Sequence, residues 1–304
     1  MNEQYRQGMM SAIGCAVWWG IMPIYWQMLQ PISSVVIIFY RILLVALVCF
    51  LMAWKVHGLA EIRSQFSQPG IKLRYFLAGI LITANWSIYI WAVNAGMVIQ
   101  TCIGYYIEPL IVCIFGVVLF KEKLDRFKIT ALVLAGAGVG IVIIHFRQIP
   151  LVALGLGITF ALYAAMKKNY PMPPLLSLLF ETIFLMPLAL VVCIGMEATG
   201  NGALAAADLT KYILLMFCGL FTAFPLSLFA NAANKIDLFS LGLTEYIGPT
   251  ISLFISIYLF KEPFDSIQLI AFAIIWFGLV FFSYGEFRKV KLMKEWKEDH
   301  SLES

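Results

Sequence analysis

Long apolar stretches recur along the whole chain, separated by short segments that hold most of the charged side chains. Each stretch is close to the roughly 20 apolar residues that a helix needs to cross the hydrocarbon core of a bilayer. A spanning helix satisfies its own backbone groups, so this pattern predicts helices, and the short alternating strands of a membrane barrel are not seen. Ten spans are predicted: Met9–Leu29, Val35–Trp54, Phe76–Asn94, Val98–Phe120, Ile129–Phe146, Ile149–Met166, Leu175–Met196, Tyr212–Asn231, Leu238–Phe260 and Ile267–Tyr284.

The composition agrees with this pattern, because 62% of the 304 residues are hydrophobic and only 12% are charged. A soluble domain is about 25% charged. We therefore predict an all-α integral membrane protein with ten transmembrane helices in a lipid bilayer. The net charge of +4 does not indicate a nucleic-acid partner, because the basic residues lie in the loops between spans.

The basic residues also predict the orientation of the chain. If the spans alternate from a cytoplasmic N-terminus, nearly all loop Lys and Arg residues fall on the cytoplasmic side, and only Arg147, Lys211 and Lys261 fall outside. Lys and Arg are enriched in cytoplasmic loops. We therefore predict a multi-pass protein of a bacterial cytoplasmic (inner) membrane with both termini in the cytoplasm.

The chain contains an internal repeat at an offset of 140 residues. Tyr106-Ile107-Glu108-Pro109 matches Tyr246-Ile247-Gly248-Pro249, and Leu119-Phe120-Lys121-Glu122 matches Leu259-Phe260-Lys261-Glu262. Each half would hold five spans, an odd number, so the second copy would cross the membrane in the opposite sense. We predict two inverted five-helix repeats, residues 1–146 and 147–286, followed by a charged cytoplasmic tail at 287–304. Such halves often enclose a substrate site near the midplane of the membrane.

Four ionisable residues fall inside the predicted spans: Arg41, Glu108, Glu181 and Glu245. A charge at the bilayer centre costs at least about 2.5–3.5 kcal/mol, and such residues usually face the bundle interior. We predict that they bind substrate or protons. A structural ion pair or a neutral, hydrogen-bonded acid is the alternative for each. The prolines that follow Glu108 and Glu245 predict kinked helices beside both acids.

Aromatic and small polar residues recur at helical spacing in the same spans. They predict a cavity for an amphipathic organic solute, including a cation that can lie over a ring. Interfacial aromatic belts are the alternative for the Trp and Tyr residues. The candidates for this lining are Trp18, Tyr25, Asn85, Trp86, Tyr89, Tyr105, Tyr163 and Ser252.

The sequence carries no motif for catalysis or for energy supply. It lacks a P-loop, an HExxH motif and a G-x-S-x-G motif, and its six cysteines have no metal-ligand spacing. We therefore expect no catalytic residue, no metal and no cofactor. Gly136 and Gly140 form a GxxxG pair inside the fifth span, which predicts close packing between helices.

Several stretches resemble the EamA branch of the drug/metabolite transporter superfamily, and within it the RarD-like group of chloramphenicol-sensitivity proteins. They lie in order along nearly all of the ten spans: Trp19-Gly20-Ile21-Met22-Pro23, 85–94, Gly104-Tyr105-Tyr106-Ile107-Glu108-Pro109-Leu110, Glu181-Thr182, Phe224-Pro225-Leu226 and Glu245-Tyr246-Ile247-Gly248-Pro249-Thr250. The resemblance implies an inner-membrane transporter whose central cavity is formed by spans one to four and six to nine.

The sequence and the resemblance together favour one function. We expect a secondary active transporter that moves small organic metabolites or drugs by alternating access, coupled to protons or another gradient, with export favoured over uptake. Its partners would be a small-molecule substrate, protons and the lipid bilayer. The alternative is a membrane-embedded enzyme or a lipid-handling protein, for which a cavity open sideways to lipid would be the distinguishing feature.

Overall fold

The computed structural model describes residues 3–94, 98–147, 151–259, 261 and 266–301, and these form helices joined by short connections. The fourteen helices of the described residues are α1 (Glu3–Met28), α2 (Ser34–Phe66), α3 (Ile71–Asn94), α4 (Val98–Phe120), α5 (Arg126–Phe146), α6 (Leu151–Asn169), α7 (Pro174–Ile183), α8 (Met186–Ala198), α9 (Ala203–Ala206), α10 (Leu209–Met216), α11 (Cys218–Lys235), α12 (Leu238–Glu245), α13 (Ile247–Tyr258) and α14 (Ser266–Ser301).

The helical membrane class predicted from the sequence is confirmed. Within the described ranges, seven helical stretches are long and apolar enough to cross a bilayer, and the bent pair α7 and α8 would make an eighth. Helices α3 and α4 occupy two further predicted spans, but some of their side chains lie outside the described residues. The count of ten spans therefore stays a prediction.

Three predicted spans of the second half depart from a regular helix. The seventh bends by 58° between α7 and α8. The eighth at Phe217 and the ninth at Tyr246 each have a break of one residue, whose backbone angles stay in the right-handed helical region. Pro249 accounts for the last break, because it has no N–H with which to bond the carbonyl four residues earlier, at Glu245. The sequence predicted a kink at Pro249, but the helix is divided one turn before it.

Helices α5 and α14 pack in opposite directions along most of their length. The contacts run from Phe127 beside Tyr284 to Gly138 beside Ala271. A methyl group added at Gly138 would come within 2.8 Å of the Ala271 carbonyl oxygen, and one added at Gly278 within 3.2 Å of the Ala131 carbonyl oxygen. Glycine is therefore needed at both positions for close approach of the two backbones.

The predicted packing role of Gly136 and Gly140 is wrong. A methyl group added at either glycine would meet no atom within 4 Å, whereas Gly138 lies between them against α14. Residues two positions apart face different sides of a helix, so the GxxxG pair lies away from the contact that α5 makes.

Helices α4 and α12 also run in opposite directions and meet around two tyrosines. The Tyr246 hydroxyl donates a 3.0 Å hydrogen bond to the Tyr106 carbonyl oxygen, and the Cys113 thiol donates to the Phe239 carbonyl oxygen at 3.3 Å. Helix α1 packs against α11 and α13, which brings the start of the chain against the second half.

A hydrogen-bonded network joins several helices at the end of the bundle where α1 begins, which we call the terminal end. The Glu122 carboxylate accepts hydrogen bonds from the N–H groups of Leu238 at 2.6 Å and Phe239 at 2.8 Å, at the start of α12. Asp237 caps the same helix and accepts a 2.6 Å hydrogen bond from the Lys128 ammonium group. The α4–α5 connection is thereby fixed to the α11–α12 connection.

More distant parts of the chain also join the terminal end. The Lys168 ammonium group donates to the Ile236 carbonyl oxygen, and the Tyr5 hydroxyl donates to the Glu286 carboxylate at 2.7 Å. Contacts from α1, α6 and α14 therefore meet at the same end as the Asp237 cap. Polar groups with partners therefore join the helices at this end of the bundle.

We expect Gly138→Ala to destabilise the protein by about 1–3 kcal/mol, because the added methyl group would overpack the α5–α14 contact. Gly136→Ala is the matched control and should be neutral or slightly stabilising, since alanine favours a helix over glycine. Thermal unfolding of the two purified variants measures the difference. Equal unfolding midpoints would contradict the packing described for Gly138.

The Asp237 ion pair predicts a dependence of stability on pH. Burial acts to raise the pKa of the Asp237 carboxyl, but Lys128 and the hydrogen bonds from Ser240 outweigh burial and hold it below its ordinary value. The stabilisation is therefore present at neutral pH and is lost as the pH falls through the folded-state pKa. Asn in place of Asp237 keeps the helix cap but removes the charge.

We expect Asp237→Asn to cost about 1–3 kcal/mol at pH 6, the range of hydrogen bonds to charged groups. The difference in stability between this variant and the unaltered protein should disappear as the pH is lowered below 4. Thermal unfolding across this pH range measures it, with Asp208→Asn as the control, since Asp208 caps α10 and lies 3.9 Å from its nearest lysine. A gap of constant size would argue against the ion pair.

Candidate functional site

Glu245 is buried in the bundle at the point where the ninth predicted span is divided. It is the last residue of α12 and is 7% exposed. Neither of its carboxylate oxygens has a hydrogen-bond partner among the described residues. An isolated carboxylate is unstable in an apolar interior, so an acid in this position either holds a proton or takes a partner from outside those residues.

Glu108 lies close to Glu245, across the contact between α4 and α12. The carbonyl oxygen of Pro109, the residue after Glu108, lies against Gly242 of α12, three residues before Glu245. The neighbouring hydrogen bond from Tyr246 to the Tyr106 carbonyl fixes the two helices together at this level. Two carboxyl groups that repel each other favour holding at least one proton between them.

Arg41 lies between two tryptophans contributed by α1 and α3. Its guanidinium carbon is 3.7 Å from the centre of the Trp86 ring and 5.4 Å from that of Trp26. Its Nε atom is buried and has no hydrogen-bond partner. The indole faces stabilise the cation but leave the N–H groups at its edge free to meet another group.

Two of the predicted lining residues on α1 instead hold helices together. The Trp18 indole N–H donates a 3.0 Å hydrogen bond to the Phe221 carbonyl, which is the carbonyl that Pro225 leaves without its helical donor. The Tyr25 hydroxyl donates to the Leu214 carbonyl at 2.7 Å. Both side chains therefore satisfy backbone groups of the interrupted eighth span.

Asn85 and Ser252 also bond across helices. The Asn85 amide donates to the Leu156 carbonyl at 2.8 Å and to the Thr159 hydroxyl at 3.1 Å, which joins α3 to α6. The Ser252 hydroxyl donates to the Gly20 carbonyl at 3.0 Å, which joins α13 to α1. Such bonds between polar side chains and backbone groups are typical of helix contacts in membranes.

Tyr89 and Tyr105 form an exposed aromatic pair. Their ring centres are 5.8 Å apart, and the residues are 37% and 43% exposed. Tyr105 also lies close enough to Arg41 to interact with it electrostatically. The pair lies on the half of α3 and α4 that is away from the terminal end, and it extends the aromatic surroundings of Arg41.

Glu181 is part of a fully buried polar cluster. Its carboxylate forms an ion pair with Lys167 and accepts hydrogen bonds from Ser177 at 3.0 Å and Tyr163 at 3.1 Å. Lys167 lies in the last turn of α6, which continues past the predicted end of the sixth span at Met166, and it is 4% exposed. The partner comes from a neighbouring helix, which spacing within one span could not reveal.

The structure also identifies residues that sequence reasoning did not select. Trp26 completes the surroundings of Arg41, and the buried Thr222 hydroxyl on α11 has no partner. Glu122 fixes the start of α12. The repeat of Lys-Glu at an offset of 140 pointed to Glu122, whereas nothing in the sequence distinguished Trp26 or Thr222 from their apolar neighbours.

We expect Glu181→Gln to destabilise the protein by about 3–5 kcal/mol, because it leaves the Lys167 charge buried without its counter-ion. The double variant Lys167→Met, Glu181→Gln should recover most of that loss, since it removes both charges. Thermal unfolding of the single and double variants measures the recovery. If the two variants were equally unstable, the buried pair would not be the cause.

Comparison with known proteins places these observations in a family. The EamA-like transporter family matches residues 6–144. The uncharacterized transporter YojE of Bacillus subtilis is 37% identical over 291 residues, covering 94% of this chain and 96% of YojE. Protein RarD of Escherichia coli is 27% identical and covers 92% of this chain and 95% of RarD.

A solved structure shares the fold. A crystal structure described only as that of a protein aligns with a TM-score of 0.70 over 90% of this chain and 96% of its own, at 12% identity. The likeness to YojE and RarD, which covers 94% and 92% of this chain, confirms the sequence resemblance. This multi-pass helical membrane protein belongs to the EamA-like transporter family, in its RarD-like group.

Proposed function

We propose that the protein is a secondary active transporter that moves small organic molecules across the bacterial cytoplasmic membrane by alternating access. The observation that carries the proposal is Glu245, a buried carboxylate without a partner at the break between α12 and α13, with Glu108 beside it. Interrupted helices with exposed polar groups are where transporters bind substrates and coupling ions.

The positions of the helices support two inverted repeats. Helices α2 and α7 begin 140 residues apart, at Ser34 and Pro174. Lys121 and Lys261 share the same offset and the same left-handed backbone conformation, with φ of 52° and 56°.

The α5–α14 contact has the form that an internal twofold axis would give. Gly138 contacts Ala271, and Gly278 contacts Ala131. Gly278 is the counterpart of Gly138 at the offset of 140, and Ala131 is the counterpart of Ala271, so the two contacts are equivalent. Reciprocal contacts of this kind are typical of twofold interfaces. Two halves of similar structure and opposite direction can exchange conformations, which would open the bundle to each side in turn.

The two ends of the bundle differ in this structure. The network around Asp237 and Glu122 joins helices at the terminal end, whereas Tyr89 and Tyr105, on the other half of α3 and α4, are partly exposed. The basic loops put the terminal end in the cytoplasm. On this orientation the central acids are shielded from the cytoplasm, and solute would be exchanged with the outside.

Glu108 and Glu245 are the proposed proton carriers. Their mutual repulsion favours protonation of one, and access from the outside would let protons bind as a solute leaves. This order of events favours export driven by an inward proton gradient. Cycling through the other conformation would return the protons to the cytoplasm.

We expect Glu245→Gln and Glu108→Gln to remove coupling to a pH gradient, because glutamine has the shape of a protonated acid but cannot release a proton. The full chain would be reconstituted in vesicles containing a pH-sensitive dye and tested with amino acids, nucleosides, amines and polyaromatic drugs. Glu61→Gln is the control, since Glu61 is exposed on α2 and bonds only to Gln65 among the described contacts.

The unaltered protein and Glu61→Gln should move protons with at least one solute class, and the two central variants should not. Unchanged coupling in both central variants would remove the proposed proton carriers. Failure of every solute class to cross the membrane with the unaltered protein would contradict transport itself.

A further inference from the structure

Arg41 is a cation inside the bundle for which the described part of the chain supplies no counter-ion. No ion pair to it is formed by the described carboxylates, and its buried Nε atom has no hydrogen-bond acceptor. Its contacts are instead with the Trp86 and Trp26 rings. Lys128 and Lys167, the buried cations of the described bundle, each have a carboxylate, whereas Arg41 is half-buried and has none there.

The internal repeat allows Arg41 to be compared with the residue at the matching position of the second half. The residue 140 positions after Arg41 is Glu181, which is fully buried and is neutralised by Lys167. The same position of the two halves therefore holds a charged residue with a counter-ion in one half and without a counter-ion in the other. The fold can pair a charge at this position, so the absence of a pair at Arg41 is specific to that residue.

The energetics favour a ligand at Arg41 over a structural role. Arg41 falls inside the second predicted span, and an arginine in the hydrocarbon costs energy, about 2.5–3.5 kcal/mol at the bilayer centre. Stacking on tryptophan returns about 0.5–2 kcal/mol. An apolar side chain would fill the space between Trp26 and Trp86 without that net cost, so packing alone does not account for a guanidinium group here.

We propose that Arg41 binds an anionic group, a carboxylate or a phosphate, of the solute that the protein transports. The inference rests on the proposed transport function and adds the chemical class of the substrate. Trp86 covers one face of the guanidinium, which leaves its edge for the two parallel hydrogen bonds that a carboxylate or phosphate accepts. Tyr105, near Arg41, and Tyr89 supply an aromatic surface for the solute's apolar body.

This assignment separates the two charged groups of the site by role. Arg41 recognises the solute, whereas Glu108 and Glu245 remain available for protons. Recognition at Arg41 and proton binding at Glu245 can therefore be tested independently.

The test uses the full-length purified protein and two signals, its thermal unfolding midpoint and its tryptophan fluorescence. The probes are phenylacetate, 3-phenylpropanoate, indole-3-acetate and phenyl phosphate, each with its neutral amide or alcohol and the corresponding amine. Carboxylates, phosphates or both should raise the midpoint and change the fluorescence, while the neutral analogues should not. Equal effects of neutral or cationic analogues, or no effect of any anion, would overturn the proposal.

Three variants connect the signal to Arg41. Arg41→Gln should abolish the anion-dependent shift, and Arg41→Lys should weaken binding at least about tenfold, because lysine keeps the charge but loses the two-pronged geometry. Arg74→Gln is the matched control, since Arg74 also stacks on an aromatic ring, 4.3 Å from Tyr170, but at the terminal end. It should bind anions normally.

The stability of the ligand-free variants distinguishes recognition from packing. Arg41→Gln should unfold at the same temperature as the unaltered protein or higher, because it removes an unpaired charge. A lower midpoint together with unchanged anion binding would show that Arg41 only supports the two tryptophans, and the proposal would fail.

Flux in vesicles then separates this inference from the transport proposal. Glu245→Gln should still bind the anionic probe but should lose its coupled movement. If the unaltered protein binds the anion through Arg41 but moves no solute, transport is contradicted and the anion site is still supported. Flux of neutral or cationic solutes alone, unaffected by Arg41→Gln, would contradict the anion site and leave transport standing.

Discussion

The requirement that every polar group in an apolar bundle find a partner accounts for most of this structure. Trp18 supplies the donor that Pro225 withholds from the Phe221 carbonyl, so a helix can bend without losing that hydrogen bond. Lys167 and Glu181 neutralise each other in the same way. Against this background, the unpaired groups of Arg41 and Glu245 are conspicuous. Thr222 holds the other unpartnered buried atom of the described bundle, and Arg41 and Glu245 are the ionisable residues among the three.

Two antiparallel contacts hold the halves together around this site. The α5–α14 contact depends on backbone approach at Gly138 and Gly278, whereas the α4–α12 contact is held by the hydrogen bond from Tyr246 to Tyr106. The first is apolar and continuous. The second lies beside the central acids and next to the break that follows Glu245. A conformational change that keeps α5 and α14 packed could therefore still alter α4 against α12.

The sequence predicted the features that are set by local pattern. Apolar runs gave the helices, and the rarity of charge in membranes singled out Arg41, Glu108, Glu181 and Glu245. Contacts between distant parts of the chain were not predictable. The Lys167 partner of Glu181 and the Phe221 partner of Trp18 come from other helices. The sequence also did not show which face of α5 packs against α14. That face contains Gly138 and not Gly136 or Gly140.

The two halves of the chain carry different charged residues at matching positions, and this difference bears directly on the mechanism. Inverted repeats of identical sequence would bind a solute equally well from either side of the membrane. The two ends of the solute would then contact identical residues. Here the first half carries Arg41 where the second carries a neutralised Glu181, and the second half carries Glu245 where the first carries Tyr105. The cation and the unpaired acid therefore come from different halves. A solute held at Arg41 and protons held at Glu245 would both respond to movement between those halves, which is the coupling that a secondary transporter requires.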